Sequence, residues 1–466
     1  MQIPILSGTF ADVSPDYRTS YPRNLVPVPK DTGVSEGYLR PADGIVALGT
    51  GPGVDRGGIN WNGVLYRVMG TKLVSISAAN VVTVIGEIGG AGRVTFTYGF
   101  EYLAVASSNQ LWLYDGTTLA QVTDPDLLDV VDVVWVDGYF MTTDGEFLVV
   151  TELSDPFSVN PLKYGSSEAD PDPVLGLLKL RNEVYALNRY TIEVFDNIGG
   201  TGFPFQRVNG AQIQKGCVGT HANCEFMDNI AFLGGGMNEA PSVFIGANGQ
   251  AAKIATREIE EILQEYTEAE LSGAFLQSRV DRAHEHLIIH LPRHCLVYDG
   301  VATGVLGVPV WFTLASAIDG DAKWKANDCI YCYDRWNVAH TDTTQFGYLD
   351  RTVSTHWGDA VGWEFGTQIL YNESNGAIFH ELELVALTGS IPLGGDPTIW
   401  TSYSDDGVTW SVEKGIKAGK QGDRNKRLIW LQQGHMRNQR MQKFRGTSGA
   451  HISMSRLQAR LEALAF

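Results

Sequence analysis

Cysteine is scarce in this chain, and so are the residue clusters that mark catalysis. The 466 residues include five cysteines, Cys217, Cys224, Cys295, Cys329 and Cys332. An odd, scattered set supplies no disulfide framework and points to folding in a reducing compartment. No run approaches the roughly 20 apolar residues that span a bilayer as a helix. The N-terminus, MQIPILSGTF, has neither a basic n-region nor an adequate apolar core, so a signal peptide is not expected. There is no G-x-S-x-G elbow, P-loop, H-E-x-x-H pair or EF-hand loop. Acidic residues are plentiful, but their spacing assigns no pair to acid–base work. The sequence therefore reads as non-enzymatic, with no cofactor expected.

Basic charge is missing from most of the chain. The net charge is −18, yet residues 411–466 hold 12 Lys+Arg against 3 Asp+Glu, which leaves −27 on the first 410 residues. Such a body does not bind nucleic acid over its general surface, because each phosphate contact needs a cation. The basic end offers a face for an acidic partner, with Arg437, Arg440, Lys443 and Arg445 as its candidate residues. A solvated strand edge accounts for the same charges.

Turn chemistry is abundant. Asp-Gly occurs seven times, at residues 43, 115, 137, 144, 299, 319 and 406, mostly after or between runs rich in Val, Leu, Tyr, Phe and Trp. Asp-Gly between apolar runs signals a hairpin, because primed turns need positive φ and glycine adopts it without steric cost. From residue 58 to 365 the strand signals recur in groups of three or four, each group spanning roughly 35–50 residues. That period predicts a β-propeller of about six or seven blades. A pair of β-sandwiches is the alternative on pattern alone. Ile259, Ile262, Leu263 and Tyr266 follow one helix face, and Thr267 to Glu270 has capping-box form, so a helical insertion is expected near 257–273.

The two ends read differently. Residues 1–57 are polar and Pro-spaced, from Ser14-Pro15 through Val26-Pro27-Val28-Pro29, which predicts an extended arm laid on a neighbouring subunit. Residues 366–466 read as a separate β-sandwich-like module. Leu457, Leu461 and Leu464 have the spacing of a short terminal helix.

Three motifs carry possible chemistry. His284, His286, His290 and His294 would share one face of an unbroken strand. Pro292 interrupts that strand, however, and no metal is expected. Cys329-Ile330-Tyr331-Cys332 has C-x-x-C spacing but lacks a second pair, and reads as two buried thiols on opposite faces. Tyr403 to Trp410 resembles the Asp box of sialidases, a hairpin-stabilising and non-catalytic element.

A long ordered stretch carries a family resemblance. It runs from Ala240-Pro241-Ser242-Val243-Phe244-Ile245-Gly246 and Ile254-Ala255-Thr256 to His286-Leu287-Ile288-Ile289-His290-Leu291-Pro292-Arg293-His294 and Val297-Tyr298-Asp299. Upstream it includes Gly37-Tyr38-Leu39-Arg40, Tyr66-Arg67-Val68, Gly92-Arg93-Val94, Ile192-Glu193-Val194-Phe195 and Gln214-Lys215-Gly216. Together these resemble the packaged-DNA stabilisation proteins, or tail hub proteins, of short-tailed, tailspike-bearing phages. The resemblance covers most of residues 20–300, weakens after 366, and leaves a tail after 453 that extends past the family's usual end. It implies a structural protein without catalytic residues, located in the virion tail and assembled in the host cytoplasm. The implied assembly is a homo-oligomeric ring, a hexamer, docked under the adaptor ring below the portal. The implied partners are tailspikes, a tail needle, and double-stranded DNA that passes without sequence-specific binding. An acidic wall suits such a conduit, since it repels phosphate. A propeller that binds or hydrolyses glycans, or a cellular scaffold propeller, remains the alternative.

Overall fold

The computed structural model describes residues 1–11, 16–30, 37–153, 155–372 and 375–464. Seven antiparallel sheets of four or five strands follow one another as the blades of a propeller. Blades 1 to 6 span residues 55–87, 95–121, 132–166, 174–207, 216–253 and 275–313. Blade 7 takes three strands from residues 327–350 and its outermost strand, Gly44–Thr50, from the other end of the chain. That borrowed strand joins the last blade to the segment that enters the first. The inner strands neighbour one another around the ring.

Side chains on the inner strands fasten blade to blade. Trp135 N–H donates to Thr97 Oγ1 at 3.1 Å, and Leu177 N–H to Asp132 Oδ2 at 2.8 Å. Cys329 N–H donates to Gln277 Oε1 at 2.8 Å, and Gly58 N–H to Asp328 Oδ2 at 3.1 Å. Each bond satisfies an inner-strand amide that has no ladder partner on the axis side. Behind them, buried aliphatic and aromatic side chains fill the gaps between adjacent blades.

The Asp-Gly signals split into two classes. Asp137-Gly138, with φ of 48° and 92°, turns the first hairpin of blade 3, and Gly116 and Gly145 take positive φ between other blade strands. Asp299-Gly300 is no hairpin. Asp299 caps the helix Gly300–Leu306 by accepting from Ala302 N–H at 3.0 Å. Asp43-Gly44 carries the chain out of the second domain into blade 7. Helices at Arg257–Gln264 and Glu268–Leu271 connect blades 5 and 6, and Thr267 and Glu270 form the reciprocal capping box.

The second domain is a β-sandwich. One sheet orders Leu25–Pro29, Gly37–Pro41, Ser453–Ala463, Ala377–Leu387 and Leu428–Leu431, with Gln2–Ile3 beside Ser453–Ala463. The other orders Gly362–Gly366, Gln439–Thr447, Thr398–Ser404 and Lys414–Lys417. Phe365, Phe444, Trp430, Phe379 and Leu457 meet in its core with Ile3, Leu25 and Leu39 from the N-terminal segment.

Both expectations about the chain ends are therefore corrected. The segment 1–57 is not an extended arm: its described residues form a hairpin of their own, Gly8–Ala11 with Tyr17–Ser20, and strands of this chain's own sandwich and propeller. Pro27 and Pro29 lie in Leu25–Pro29, an edge strand, where a missing N–H breaks no ladder bond. Ser14-Pro15 lies outside the described residues. The tail is a strand and not a helix, because Ser453–Ala463 pairs with Ala377–Leu387 along its length. Strand pairing there overrides a helical spacing of three leucines.

Candidate functional site

The candidate basic face does not form one surface. Strand alternation sends Arg440 into the sandwich while Lys443 and Arg445 point outward. Arg440 is fully buried, with its guanidinium 3.8 Å from the Tyr403 ring centroid and 4.3 Å from that of Phe379. It donates to Gln433 O at 2.7 Å and to Gln442 Oε1 at 3.0 Å. Burial pulls its pKa down to about 10. Lys443 pairs with Glu364 at 2.9 Å, and Arg445 with Glu413 at 2.6 Å and Asp319 at 2.5 Å. Arg437 stands exposed in the turn before that strand. Of the four, it alone offers an exposed charge without one of these ion pairs. Two residues apart versus three is what separates a shared face from opposite faces here, and the sequence reading grouped the four by charge alone.

The propeller axis is narrow and occupied. A cavity of about 380 Å³ lies among the inner strands, bordered by Gly58, Arg93, Thr97, Asp132, His221 and Leu276. Arg93 packs over the Phe275 ring at 3.7 Å and donates to Asn327 Oδ1 at 3.0 Å and to Asp328. That volume suits a small molecule. It does not pass a nucleic-acid duplex.

Between the helix Arg257–Gln264 and the sandwich lies a polar groove of about 470 Å³ that Trp410 borders. Three of its carboxylates are engaged: Glu258 accepts from Thr19 N–H at 2.9 Å, Glu261 pairs with Arg18 at 2.6 Å, and Glu364 with Lys443. The Asp-box carboxylate is engaged too. Asp406 accepts from Thr409 N–H, Val408 N–H and the Ser404 hydroxyl at 2.7, 2.9 and 2.9 Å, which staples its own loop.

The cysteines are unpaired. Cys329 and Cys332 are both buried, and burial pushes the Cys329 thiol up to about 12. A thiol so disfavoured as thiolate is neither nucleophile nor ready ligand.

The histidines divide. His290 stacks between Phe275, at 3.9 Å, and Trp324, at 5.8 Å, deep between blades 6 and 7. His294 lies across the turn against Tyr266. His284 and His286, on the strand His284–His290, meet an acidic residue that the sequence reading left out. Antiparallel register places His286 opposite Asp299 on the adjacent strand Cys295–Asp299. Asp299 Oδ2 lies 2.5 Å from His284 Nδ1 and 3.4 Å from His286 Nε2, and all three residues are buried. Burial opposes the charge on Asp299. The two imidazoles and the Ala302 amide outweigh it and hold the carboxyl well below the usual range. Burial also lowers the His286 pKa. The signal for this cluster was a hairpin, His284 to Asp299, read as a pairing partner and not as a run along one strand.

Comparison with known proteins settles the family. The family model described as "Bacteriophage P22 Gp10, beta-propeller" matches residues 1–354, and "Bacteriophage P22 Gp10, beta-sandwich" matches 362–462. The chain belongs to the bacteriophage P22 Gp10 family. The tail hub protein gp10 of Salmonella phage P22 is 29% identical over 483 residues, covering 99% of each chain. Among solved structures, the Neurospora crassa Pan2 WD40 domain matches 66% of this chain and 94% of its own at 13% identity, with a TM-score of 0.41. The N-terminal domain of Nup159 matches 75% and 98% at 9% identity, with a TM-score of 0.40. The sandwich match corrects the expectation that the resemblance fades after 366 and ends before the tail. The tail strand is part of the family's second domain.

Proposed function

We propose that this chain is a structural tail hub protein of a short-tailed phage. The observation that carries the reading is the full-length likeness, in both domains and in order, to a protein named for that role. The chain works in the virion tail, in a ring of identical copies docked under the adaptor ring below the portal. A hexamer is the expected state. The ring retains the packaged genome and anchors tailspikes and the tail needle. It assembles in the host cytoplasm.

The propeller axis constrains where DNA runs. Since the space among the inner strands is only a cavity of about 380 Å³, a duplex passes between copies, along the axis of the ring, and not through any one chain. The acidic body, −27 over the first 410 residues, disfavours tight phosphate contact along that path. The arm on a neighbour no longer argues for the ring, since its strands belong to this chain's own domains.

The test is assembly on purified portal–adaptor particles, imaged with and without this protein. A ring of copies below the adaptor, and genome loss from particles that lack it, is the expected result. Particles that lack the protein yet keep their DNA would reject the retention role. Absence of binding to the adaptor would reject the hub placement.

A further inference from the structure

We propose that His284, His286 and Asp299 of blade 6 bind one zinc-class divalent cation. The donors come from two adjacent strands and are set by register. His284 and His286, two residues apart, project from one face of their strand, and Asp299 sits opposite His286. One ligand atom from each lies within 4.8 Å of the other two. A tetrahedral ion with bonds of about 2.0–2.1 Å holds its ligand atoms roughly 3.3 Å apart. The 3.4 Å between His286 Nε2 and Asp299 Oδ2 already has that separation. The 2.5 Å contact from His284 is a hydrogen bond whose proton the ion would replace, with an opening of about 0.8 Å to reach the same edge length.

A second observation points to a ligand. His286 Nε2 is buried and makes no hydrogen bond of acceptable geometry. Its ring is shielded by Phe312, at 5.3 Å between centroids, so water does not reach it from that side. A buried ring nitrogen held only by the long, poorly aligned 3.4 Å contact to Asp299 is costly, and an ion between it and the carboxylate removes that cost. The carboxylate is also oriented from behind, because Asp299 Oδ1 accepts from Ala302 N–H at 3.0 Å. Outer contacts of this kind fix the ligands of metal sites. Two imidazoles and one carboxylate select zinc or a similar first-row ion, whereas calcium and magnesium take mostly oxygen ligands in larger number. A fourth position remains for water, reached past the turn at Arg282-Ala283, where the His284 side chain is 10% exposed. The expectation of no metal considered donors along one strand and the C-x-x-C pair; the hairpin register adds the third ligand. An ion here would lock the hairpin of blade 6 to the start of the helix Gly300–Leu306.

Cobalt substitution tests the site. The full-length protein, purified without a metal-binding tag and stripped by chelator, is titrated with Co²⁺ and then Zn²⁺. The expected result is one cobalt per chain with the intense visible absorption of a tetrahedral site, bleached by an equal amount of zinc. Asp299→Asn keeps the helix cap and His286→Gln keeps a polar side chain. Each should weaken binding by at least ~10-fold, the scale of damage from losing even an outer contact. His380→Ala, which removes an exposed histidine beside Glu462, should change nothing. Absence of tetrahedral absorption in the wild type overturns the proposal, whatever the variants do. So does absorption that both variants retain while circular dichroism shows them folded.

Discussion

The propeller and the sandwich solve the same burial problem with opposite chain economies. Blades 1 to 6 are each built from consecutive strands, so their pairings form between neighbours in sequence. The sandwich is assembled from both ends of the chain: Gln2–Ile3, Leu25–Pro29 and Gly37–Pro41 share a sheet with Ala377–Leu387 and Ser453–Ala463. The seventh blade is intermediate, local in three strands and remote in the fourth. The comparison teaches that one short N-terminal segment closes two domains at once. It also predicts that the propeller folds from local contacts while the sandwich waits for the whole chain, since distant pairings must first meet the entropy of loop closure.

Truncation breaks this comparison most severely. A chain starting at residue 52 lacks Gly44–Thr50 as well as the sandwich strands, so both domains lose a sheet member. A chain starting at residue 44 keeps the fourth strand of blade 7 and exposes mainly sandwich core around Leu382, Leu384 and Leu457, although it also loses Val26 and Ala42, which pack against Ile288, Val297 and Phe312 of blade 6. Calorimetry should show both transitions lost or sharply lowered in the first chain. In the second, the propeller transition should survive. Equal damage in the two would mean that the domains melt as one unit and that the contrast is wrong.

Single substitutions sharpen it. Arg67 and Asp55 form a fully buried pair at 3.0 Å where blade 1 meets blade 7, and Arg67 also donates to Asp328 O at 2.9 Å and Asn337 O at 3.2 Å. Arg67→Ala leaves a buried carboxylate and two carbonyls without that donor, and should cost about 3–5 kcal/mol by chemical denaturation. In the sandwich, Phe444 stacks on Phe365 at 5.1 Å and meets Trp430 at 5.4 Å. Phe444→Ala should likewise cost about 3–5 kcal/mol. The expected difference lies in which transition moves: propeller for Arg67, sandwich for Phe444.

A smaller effect is confined to the propeller and appears only with pH. Asp132 is buried, and that burial raises its pKa to about 6 against the ordering influence of the Leu177 and Val133 amides. A carboxyl that binds its proton more tightly when folded stabilises the protein at low pH, and the contribution is lost as pH rises from about 4 to about 6. Half-buried His221 and buried His356, pulled down by desolvation to about 3 and about 4, act with the opposite sign below pH ~6.5. The difference between wild type and Asp132→Asn removes their contribution. Asparagine keeps the acceptor for the Leu177 amide and carries no charge. The variant should match wild type near pH 4 and exceed it by up to about 3 kcal/mol above pH 6. A pH-independent difference would show that Asp132 does not titrate in this range.

How much of this was legible in the sequence follows from the same contrast. Hairpins closed by Asp137-Gly138 or turned at Gly116 and Gly145 announce themselves, because the residue that permits positive φ is also the residue that a reader looks for. Turns at Met227-Asp228, Arg282-Ala283 and Tyr333-Asp334 adopt the same positive φ without glycine, so they carry no such mark. Blade count was thus bounded and not fixed. Asp299-Gly300 was misread for the converse reason: aspartate also caps helices, and only the partner amide of Ala302 distinguishes the roles. The N-terminal strands were illegible because the edge strand Leu25–Pro29 tolerates proline, and because Gln2–Ile3 and Gly37–Pro41 find partners in Ser453–Ala463 at the far end of the chain. The basic stretch was misgrouped because net charge ignores strand alternation, which buries Arg440 and turns Lys443 and Arg445 outward, while Arg437 lies in the turn before the strand.

The smallest expected effect belongs to the outward face of the sandwich and decides whether its charges serve stability or docking. Arg445 makes ion pairs with Glu413 and Asp319, and its side chain is 36% exposed. Exposed pairs of this kind contribute about 0.2–1 kcal/mol, because solvent screens them and ordering two long side chains offsets part of the attraction. Asp319 lies in the propeller's last inter-blade connection, so the pair also joins the two domains. Arg445→Ala should therefore shift the sandwich transition by less than about 1 kcal/mol, and less still in high salt, where the Debye length shrinks to about 3 Å at 1 M. Arg437→Glu should leave both transitions in place, since that side chain is exposed. If incorporation into portal–adaptor particles falls for Arg437→Glu and not for Arg445→Ala, the docking charge is the exposed one. If both variants incorporate as wild type does, the basic end is a solvated strand edge, and attachment rests on other surfaces of the chain.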